Sequence, residues 1–405
     1  MNRTPNAGTS VSNNGTDSSK KKVAIVHDWL PVLGGAEKVL EQLLQVYPNA
    51  DIFTLFDFLS RDEAPFLRDV KVTTSSLQKF PFVEKYYRHL LPFFPYAIEQ
   101  FDLSDYELII SSSSAVAKGV VTSPHQLHVC YCHSPMRYAW DLQEQYLKQT
   151  GLSSGIRSTF IRMVLHKLRI WDVISANRVD SFVANSAYIG RRIYKTYRRE
   201  STVIHPPVDI ERFTLQAKKE DFYLTASRQV PYKRIDLIVE AFQHMPDKKL
   251  VVIGDGPEHK KISALAGPNV EILGFQSDEV LLDHLRRAKG FIFAAQEDFG
   301  IIPVEAQACG TPVIAYGVGG ARETVLDKTT GLLFEEQSVP SLVNAIERFE
   351  RLRQKFNVAT IRQNAEGFSA KRFRAEIARH VDNLFLKRKN QDLDSTRHLR
   401  DTNAV

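Results

Sequence analysis

The amino-acid sequence predicts an α/β protein with two doubly wound, parallel-sheet domains facing a central crevice, and three observations carry that prediction. Strand-like runs are short, apolar on both faces and separated by helical spans, as strands covered by helices on either side require. They fall in two successive series, divided near His205-Pro206-Pro207-Val208-Asp209, where the prolines suit a linker. The 405 residues, 43% hydrophobic and 25% charged, suffice for two cores of ordinary domain size.

Taken in order, the first series predicts strands at 23–26, 52–55, 108–110, 128–131 and 182–184, and the second at 223–225, 250–253, 270–273, 291–293 and 312–315. The domains then run from 21 to 204 and from 205 to 370. Residues 1–20 are rich in Ser, Thr, Asn and Gly with no apolar core, which predicts a disordered tail and excludes a signal peptide or membrane span in that stretch. Three cysteines, Cys130, Cys132 and Cys309, give neither a disulfide framework nor paired metal spacing, so a reducing cytoplasm is expected. A net charge of +6 points to an anionic partner, which charge alone leaves as lipid, nucleotide or nucleic acid.

Doubly wound sheets bind ligands at the carboxyl ends of their strands, so the residues following each predicted strand come first. After 291–293 comes Glu297-Asp298-Phe299-Gly300-Ile301-Ile302-Pro303-Val304-Glu305, two carboxylates eight residues apart around a strand-to-helix turn. Pro303 suits a first helical turn, and the N–H groups from Phe299 through Gly300 and Ile301 to Ile302 would face an anion such as a diphosphate. The plainer reading makes Glu305 a partner of the helix dipole and Glu297 a solvated acid. After 223–225, Arg228 and Lys233 could reach one pyrophosphate and neutralise leaving-group charge; the alternative is a solvated basic loop. After 23–26, Gly34-Gly35 leads into a helix and lets backbone approach a phosphate or sugar, although any tight turn can use Gly-Gly.

Further candidates stand at other strand ends. Gly254-Asp255-Gly256 lacks the third glycine of a dinucleotide fingerprint and reads as a turn lining a nucleotide pocket, with Gly274-Phe275 as a wall for the base. His133, within Cys132-His133-Ser134-Pro135-Met136-Arg137-Tyr138, is placed for a ligand, although a lone histidine is more often a structural donor. Asp28 is another acid at a strand end. Residues 79–94 interleave bases with aromatics, and 156–171 read as a basic amphipathic helix of the kind that lies in a membrane interface. A core-facing helix with a charged outer side explains the second segment as well. No nucleic-acid signature accompanies the aromatic-basic mix, so nucleic acid is not an expected partner.

Together, Gly34-Gly35, Arg228 with Lys233, and Glu297-x7-Glu305 followed by Gly310-Thr311-Pro312-Val313-Ile314-Ala315 resemble the retaining glycosyltransferases of family GT4, over roughly Lys22 to Leu386. The phrases Val26-His27-Asp28-Trp29 to Glu37 and Cys132 to Tyr138 further resemble bacterial mannosyltransferases of exopolysaccharide and O-antigen assembly. The resemblance implies a GT-B fold of two Rossmann-like domains, an acceptor domain followed by a nucleotide-sugar domain. It also implies a helix at 371–387 crossing back onto the first domain, with a flexible tail at 388–405. By the same resemblance Arg228 and Lys233 hold the donor diphosphate, Glu305 binds ribose hydroxyls, Glu297 contacts the donor sugar and His133 lies by the reacting sugar. No cofactor and no metal are implied. The implied reaction moves a hexose, mannose from GDP-mannose, onto a polyprenyl-diphosphate-linked saccharide at the inner face of the cytoplasmic membrane. UDP-glucose and UDP-galactose stay open as donors, as do a sugar-nucleotide epimerase, a phosphorylase and a nucleotide-sugar or nucleic-acid binding module as rival functions.

Overall fold

A computed structural model of the chain describes residues 21–149, 151 and 154–402. The expected tail at 1–20 and the last three residues lie outside the described residues. Thirteen strands form two sheets among the described residues. The first holds β1 (Val23–His27), β2 (Asp51–Thr54), β3 (Val72–Thr74), β4 (Leu108–Ser113), β5 (Leu127–Cys132), β6 (Ser181–Ala184) and β7 (Ser201–Val203), in the order β3-β2-β1-β4-β5-β6-β7. The second holds β8 (Tyr223–Ala226), β9 (Leu250–Ile253), β10 (Val270–Gly274), β11 (Gly290–Phe293), β12 (Val313–Tyr316) and β13 (Gly331–Phe334), in the order β10-β9-β8-β11-β12-β13. Every pairing is parallel. These are the two doubly wound parallel-sheet domains that the strand pattern predicts, and together they form the GT-B fold that the resemblance implies.

Both faces of each sheet are buried, which explains the continuous apolar runs. Val23 and Ile25 point into one core and Ala24 and Val26 into the other. Leu224, Phe291 and Phe293 face one side of the second sheet, and Tyr223, Ile292 and Ile314 the other. The pattern misses β3, β7 and β13. The first two are three-residue edge strands, and β13 opens on Gly331, where a side chain would lie 1.9 Å from the Val313 carbonyl oxygen.

Strand order reverses between β1 and β4 and again between β8 and β11, and at each reversal the helices leave on opposite faces and open a crevice. The connection between domains is short. Val208 N–H donates to Phe368 O at 2.9 Å, and Val208 pairs with Ser369. The helix Ala370–Thr402 then leaves the second domain and buries Phe373, Ile377 and Val381 in the first-domain core, Phe373 meeting Tyr131 edge-on at 5.6 Å. Each such side chain contributes roughly 1.5–3 kcal/mol, which ties the end of the chain to its beginning.

That helix runs to Thr402, past the expected end at 387 and through most of the segment expected to be a flexible tail. Residues 370–402 contain neither Gly nor Pro, and Lys, Arg, Gln and Leu carry little cost in a helix, so nothing in the polar segment stops propagation.

Candidate active site

The β8/β11 crevice is built by three loops that lock one another. Gly254 and Gly256 lie against the β8 loop so closely that a side chain would come within 1.9 Å of Ser227 O and 2.4 Å of Gln229 O. The buried Gln229 amide donates to Gly254 O at 2.7 Å, which holds the Arg228–Lys233 loop in place. These glycines serve that close backbone approach. After β11, Glu297 pairs with Gly319, and Gly320 N–H donates to Glu297 O at 2.8 Å. A side chain on Gly320 would lie 2.2 Å from Phe299 Cα, so the Gly319-Gly320 turn fixes the backbone around Glu297. Gly300, at φ +83°, then turns the chain into the helix Ile301–Ala308. The first N–H groups of that helix, at Ile301 and Ile302, have no carbonyl one turn earlier inside the helix.

Lys233 forms an ion pair with Glu297, joining the two loops that flank the strand reversal. Burial, aided by the charge of Arg137, lowers the Lys233 ammonium to about 8, while the Glu297 carboxylate beside it favours the charged form. The Arg228 side chain is exposed on the same loop as Lys233 and forms no hydrogen bond or ion pair among the described residues. Glu305 is buried, and Lys38 reaches it from the other domain, Nζ to Oε1 at 3.1 Å. Gly35 faces the same helix: a side chain there would lie 3.1 Å from Ile301 Cδ1. Thus Gly35 meets Ile301 and Lys38 meets Glu305 across the domains, Lys233 meets Glu297 within the second, and Gly34 precedes Gly35 at the start of the helix Gly35–Val46.

Two candidates stand differently. The Phe299 ring is buried among His205 and Phe368, at 5.5 and 5.6 Å, so only its backbone faces the loop. Phe275 follows Gly274 at the end of β10, two strands from the reversal, and is 82% exposed. The structure does not bring it to the other site residues.

On the first-domain side, His133 follows β5 and its Nε2 lies 2.8 Å from Ser112 Oγ. Burial lowers its pKa to about 4, so the ring is neutral at physiological pH. Asp28 is a structural anion. Its carboxylate accepts from the backbone N–H groups of Ser114, Ala115, Val116 and Ala117 at 2.6–2.9 Å and from the Ser114 hydroxyl, leaving no free lone pair for chemistry.

The structure adds residues that no motif marks. Asp298, beside Glu297, pairs with Arg137 and with Arg192, the latter at 3.3 Å, and Arg192 pairs with Asp141 at 2.5 Å. These arginines come from the first domain and line a cleft of about 790 Å³ with Tyr146, Tyr188 and Tyr232. Glu323 accepts from the N–H groups of Ala187 and Tyr188 at 2.7 and 2.9 Å and lies 3.1 Å from the His205 ring. Burial raises its carboxyl pKa, but His205 and the two amides hold it below the ordinary range. The only sequence signal was adjacency: Asp298 and Arg137 sit inside quoted motifs, while Glu323 and Arg192 sit in none.

The two lipid-type segments also have defined exposures. Phe80, Phe82, Tyr86, Phe93 and Tyr96 are exposed beside the exposed Lys79, Lys85 and Arg88. The helix Ile156–Ala176 buries Leu165, Leu168 and Asp172, yet its residues 156, 160, 163, 167, 170 and 174 form an exposed stripe of Ile, Phe, Met, Lys, Ile and Ile at alternating four- and three-residue spacing. Among the described residues no helix is long and apolar enough to cross a membrane.

Comparison with known proteins gives the chain its relatives. A family model described as Glycosyltransferase Family 4 matches residues 33–212, and one described as Glycosyl transferases group 1 matches 208–367. A GDP-mannose-dependent monoacylated alpha-(1-6)-phosphatidylinositol monomannoside mannosyltransferase of Corynebacterium glutamicum is 32% identical over 235 residues, 48% of this chain and 60% of that protein. A D-inositol 3-phosphate glycosyltransferase of Mycobacteroides abscessus is 34% identical over 191 residues, 41% of this chain and 43% of that protein. The chain spans about half the length of these curated relatives. Among solved structures, sucrose-phosphate synthase from Thermosynechococcus elongatus aligns with a TM-score of 0.69 at 18% identity, covering 91% of this chain and all of that one. Anabaena HepE in complex with UDP-glucose aligns at 0.63 and 22%, covering 89% and 99%. The structural likenesses show the fold, and the two family models succeed one another along 33–367: the chain belongs to the GT4-type glycosyltransferases.

Proposed function

We propose that the protein transfers a hexosyl group from a nucleotide sugar to a saccharide acceptor in the cleft between its domains, with retention of configuration. The observation that carries this reading is the convergence of Lys233, Glu297 and the exposed Arg228 at the β8/β11 reversal, with Glu305 on the adjoining helix. In the proposed reaction the bond from sugar C1 to the diphosphate oxygen breaks while the acceptor hydroxyl oxygen bonds to C1 on the same face. The acceptor proton passes to the departing diphosphate. Arg228, Lys233 and the amides at Ile301 and Ile302 stabilise the charge that develops there. Glu297 orients the sugar, Glu305 binds the ribose hydroxyls and His133 lies beside the reacting sugar.

The donor proposed is GDP-mannose, supported by the name of the corynebacterial relative; UDP-glucose is the second reading, favoured by the ligand of the HepE structure. The acceptor proposed is a polyprenyl-diphosphate-linked saccharide of exopolysaccharide or O-antigen assembly. A peripheral position on the inner face of the cytoplasmic membrane would suit it. The exposed stripe on Ile156–Ala176 and the aromatic-basic segment near Phe82 support that position, because apolar side chains ringed by bases suit an anionic lipid surface. Incubating the full chain with a panel of radiolabelled sugar nucleotides, with and without EDTA, tests donor and metal independence together. Turnover of one donor unaffected by EDTA is expected; turnover of none, or only with a divalent ion, would overturn the cationic site.

A further inference from the structure

Four polar side chains of the first domain form a continuous chain that ends at His133. Glu37, in the first turn of the helix Gly35–Val46, places Oε1 3.5 Å from His27 Nε2. His27 Nδ1 lies 3.1 Å from Ser112 Oγ, and the same oxygen lies 2.8 Å from His133 Nε2. Glu37, His27 and Ser112 are all buried. Sheet register creates the chain, since His27 of β1 is the direct partner of Ser112 of β4, and His133 follows the β5 residue paired with Ser113.

Glu37 decides which way every hydrogen in this chain points. An ionised carboxylate only accepts, and a bare ring nitrogen aimed at it would be repelled, so His27 carries a proton on Nε2. In the neutral His27 ring Nδ1 is then bare and takes the Ser112 hydroxyl hydrogen. Ser112 has only lone pairs left for His133, which must donate from Nε2. His133 Nδ1 is left with a lone pair and has no hydrogen-bond partner among the described residues.

We propose that Glu37, acting through His27 and Ser112, is a positioning residue that fixes the tautomer of His133, so that Nδ1 presents an acceptor to a hydroxyl of the sugar in the cleft. This rests on the reading that places His133 beside the reacting sugar. Both ends of the chain hold the required protonation state. Burial keeps the His133 ring neutral, and although burial raises the Glu37 carboxyl, His27 and a backbone amide bring it below the ordinary range. The same strand supplies a contrast. His128 Nδ1 lies 3.0 Å from the Arg178 carbonyl oxygen, which can only accept, so its Nε2 is bare and takes the Ser111 hydroxyl at 2.8 Å. Two histidines five residues apart thus hold opposite tautomers.

The full chain labelled with ¹⁵N-histidine, as wild type, Ser112→Ala and Glu37→Gln, would be read by two-bond ¹H–¹⁵N correlation, alongside steady-state transfer from the donor found active. In the wild type, His133 is expected to be protonated at Nε2 and bare at Nδ1, the reverse of His128. Ser112→Ala is expected to give a mixture of His133 tautomers and a fall in kcat of roughly ten-fold, with donor KM moving less than about two-fold. Glu37→Gln, which can donate as well as accept, is expected to shift the mixture the same way to a smaller extent. An unchanged His128 signal verifies that the sheet is intact in both variants. A wild-type His133 protonated at Nδ1, or an Nε2–H form untouched by either variant, overturns the inference. A tautomer that shifts while transfer stays at the wild-type rate upholds the chain and removes His133 from the sugar instead.

Discussion

At the strand reversal of the second domain, between β8 and β11, charged groups stand in the cleft: Lys233 against Glu297, with Arg228 exposed beside them. At the equivalent reversal of the first domain, between β1 and β4, the polar groups are buried and saturated. Asp28 is filled by four backbone amides and a hydroxyl, and His27 and Ser112 pass one hydrogen-bond chain to a neutral His133. One topology therefore serves two purposes. On the proposed reading the second domain holds charge for an anion, and the first uses its polar groups to hold a surface in shape for an uncharged partner. The difference follows from burial: a charge that must meet a ligand stays near solvent, whereas a buried one must already be paired.

The sharpest way to break this contrast is to remove the charge from the second domain. Glu297→Ala is expected to lower transfer by roughly 10²–10³-fold, the scale seen when one preorganised charge-stabilising group is lost. Glu297→Gln should also lose transfer while retaining the fold, as checked by its melting curve. The matching cut in the first domain should act on stability. Asp28→Ala strands four backbone amides, three of them in buried residues, and is expected to cost about 3–5 kcal/mol in denaturant unfolding, the range for breaking a buried charge's partners. An Asp28→Ala protein that unfolds like the wild type would make that carboxylate a free acid after all.

A third test uses pH. His128 and His133 both lie near 4 when folded, below the ordinary value of 6.5, so the unfolded chain binds more protons in that window. Their contribution is complete above pH 6.5 and is lost as pH falls toward 4. Thermal melts between pH 7 and 5 should therefore show a falling Tm, and a flat profile would contradict two buried neutral rings. The smallest effect is expected at the domain contact, where Glu323→Gln weakens its hold on the Ala187 and Tyr188 amides. A change of a few-fold in KM with little change in kcat would fit, read by steady-state kinetics.

Much of the charged site was legible because its residues follow strands in short stretches: Glu297 and Glu305 fall in nine residues, and Arg228 and Lys233 in six. The other half was not, because it depends on distances between remote segments. Lys38 meets Glu305 across 267 positions, and Arg192 meets Asp298 across 106. Ser112 lies in a run of serines just past the predicted strand at 108–110, and its proposed role exists only through pairing with His27. The fold was read from its central strands, whose two buried faces leave continuous apolar runs. The edge strands β3 and β7 carry no such signal, since an edge buries less and tolerates Thr and Ser.

The central claim is that the charged reversal of the second domain holds the donor diphosphate while the neutral one of the first does not. It is tested most directly by calorimetric titration of GDP and UDP into the wild type, the Arg228→Ala/Lys233→Ala double variant and Ser112→Ala. The account predicts at least a roughly ten-fold weaker Kd for the double variant, as expected on losing charge-assisted bonds to phosphate, with Ser112→Ala binding like the wild type. Unchanged binding by the double variant, or equal losses in both proteins, would contradict it.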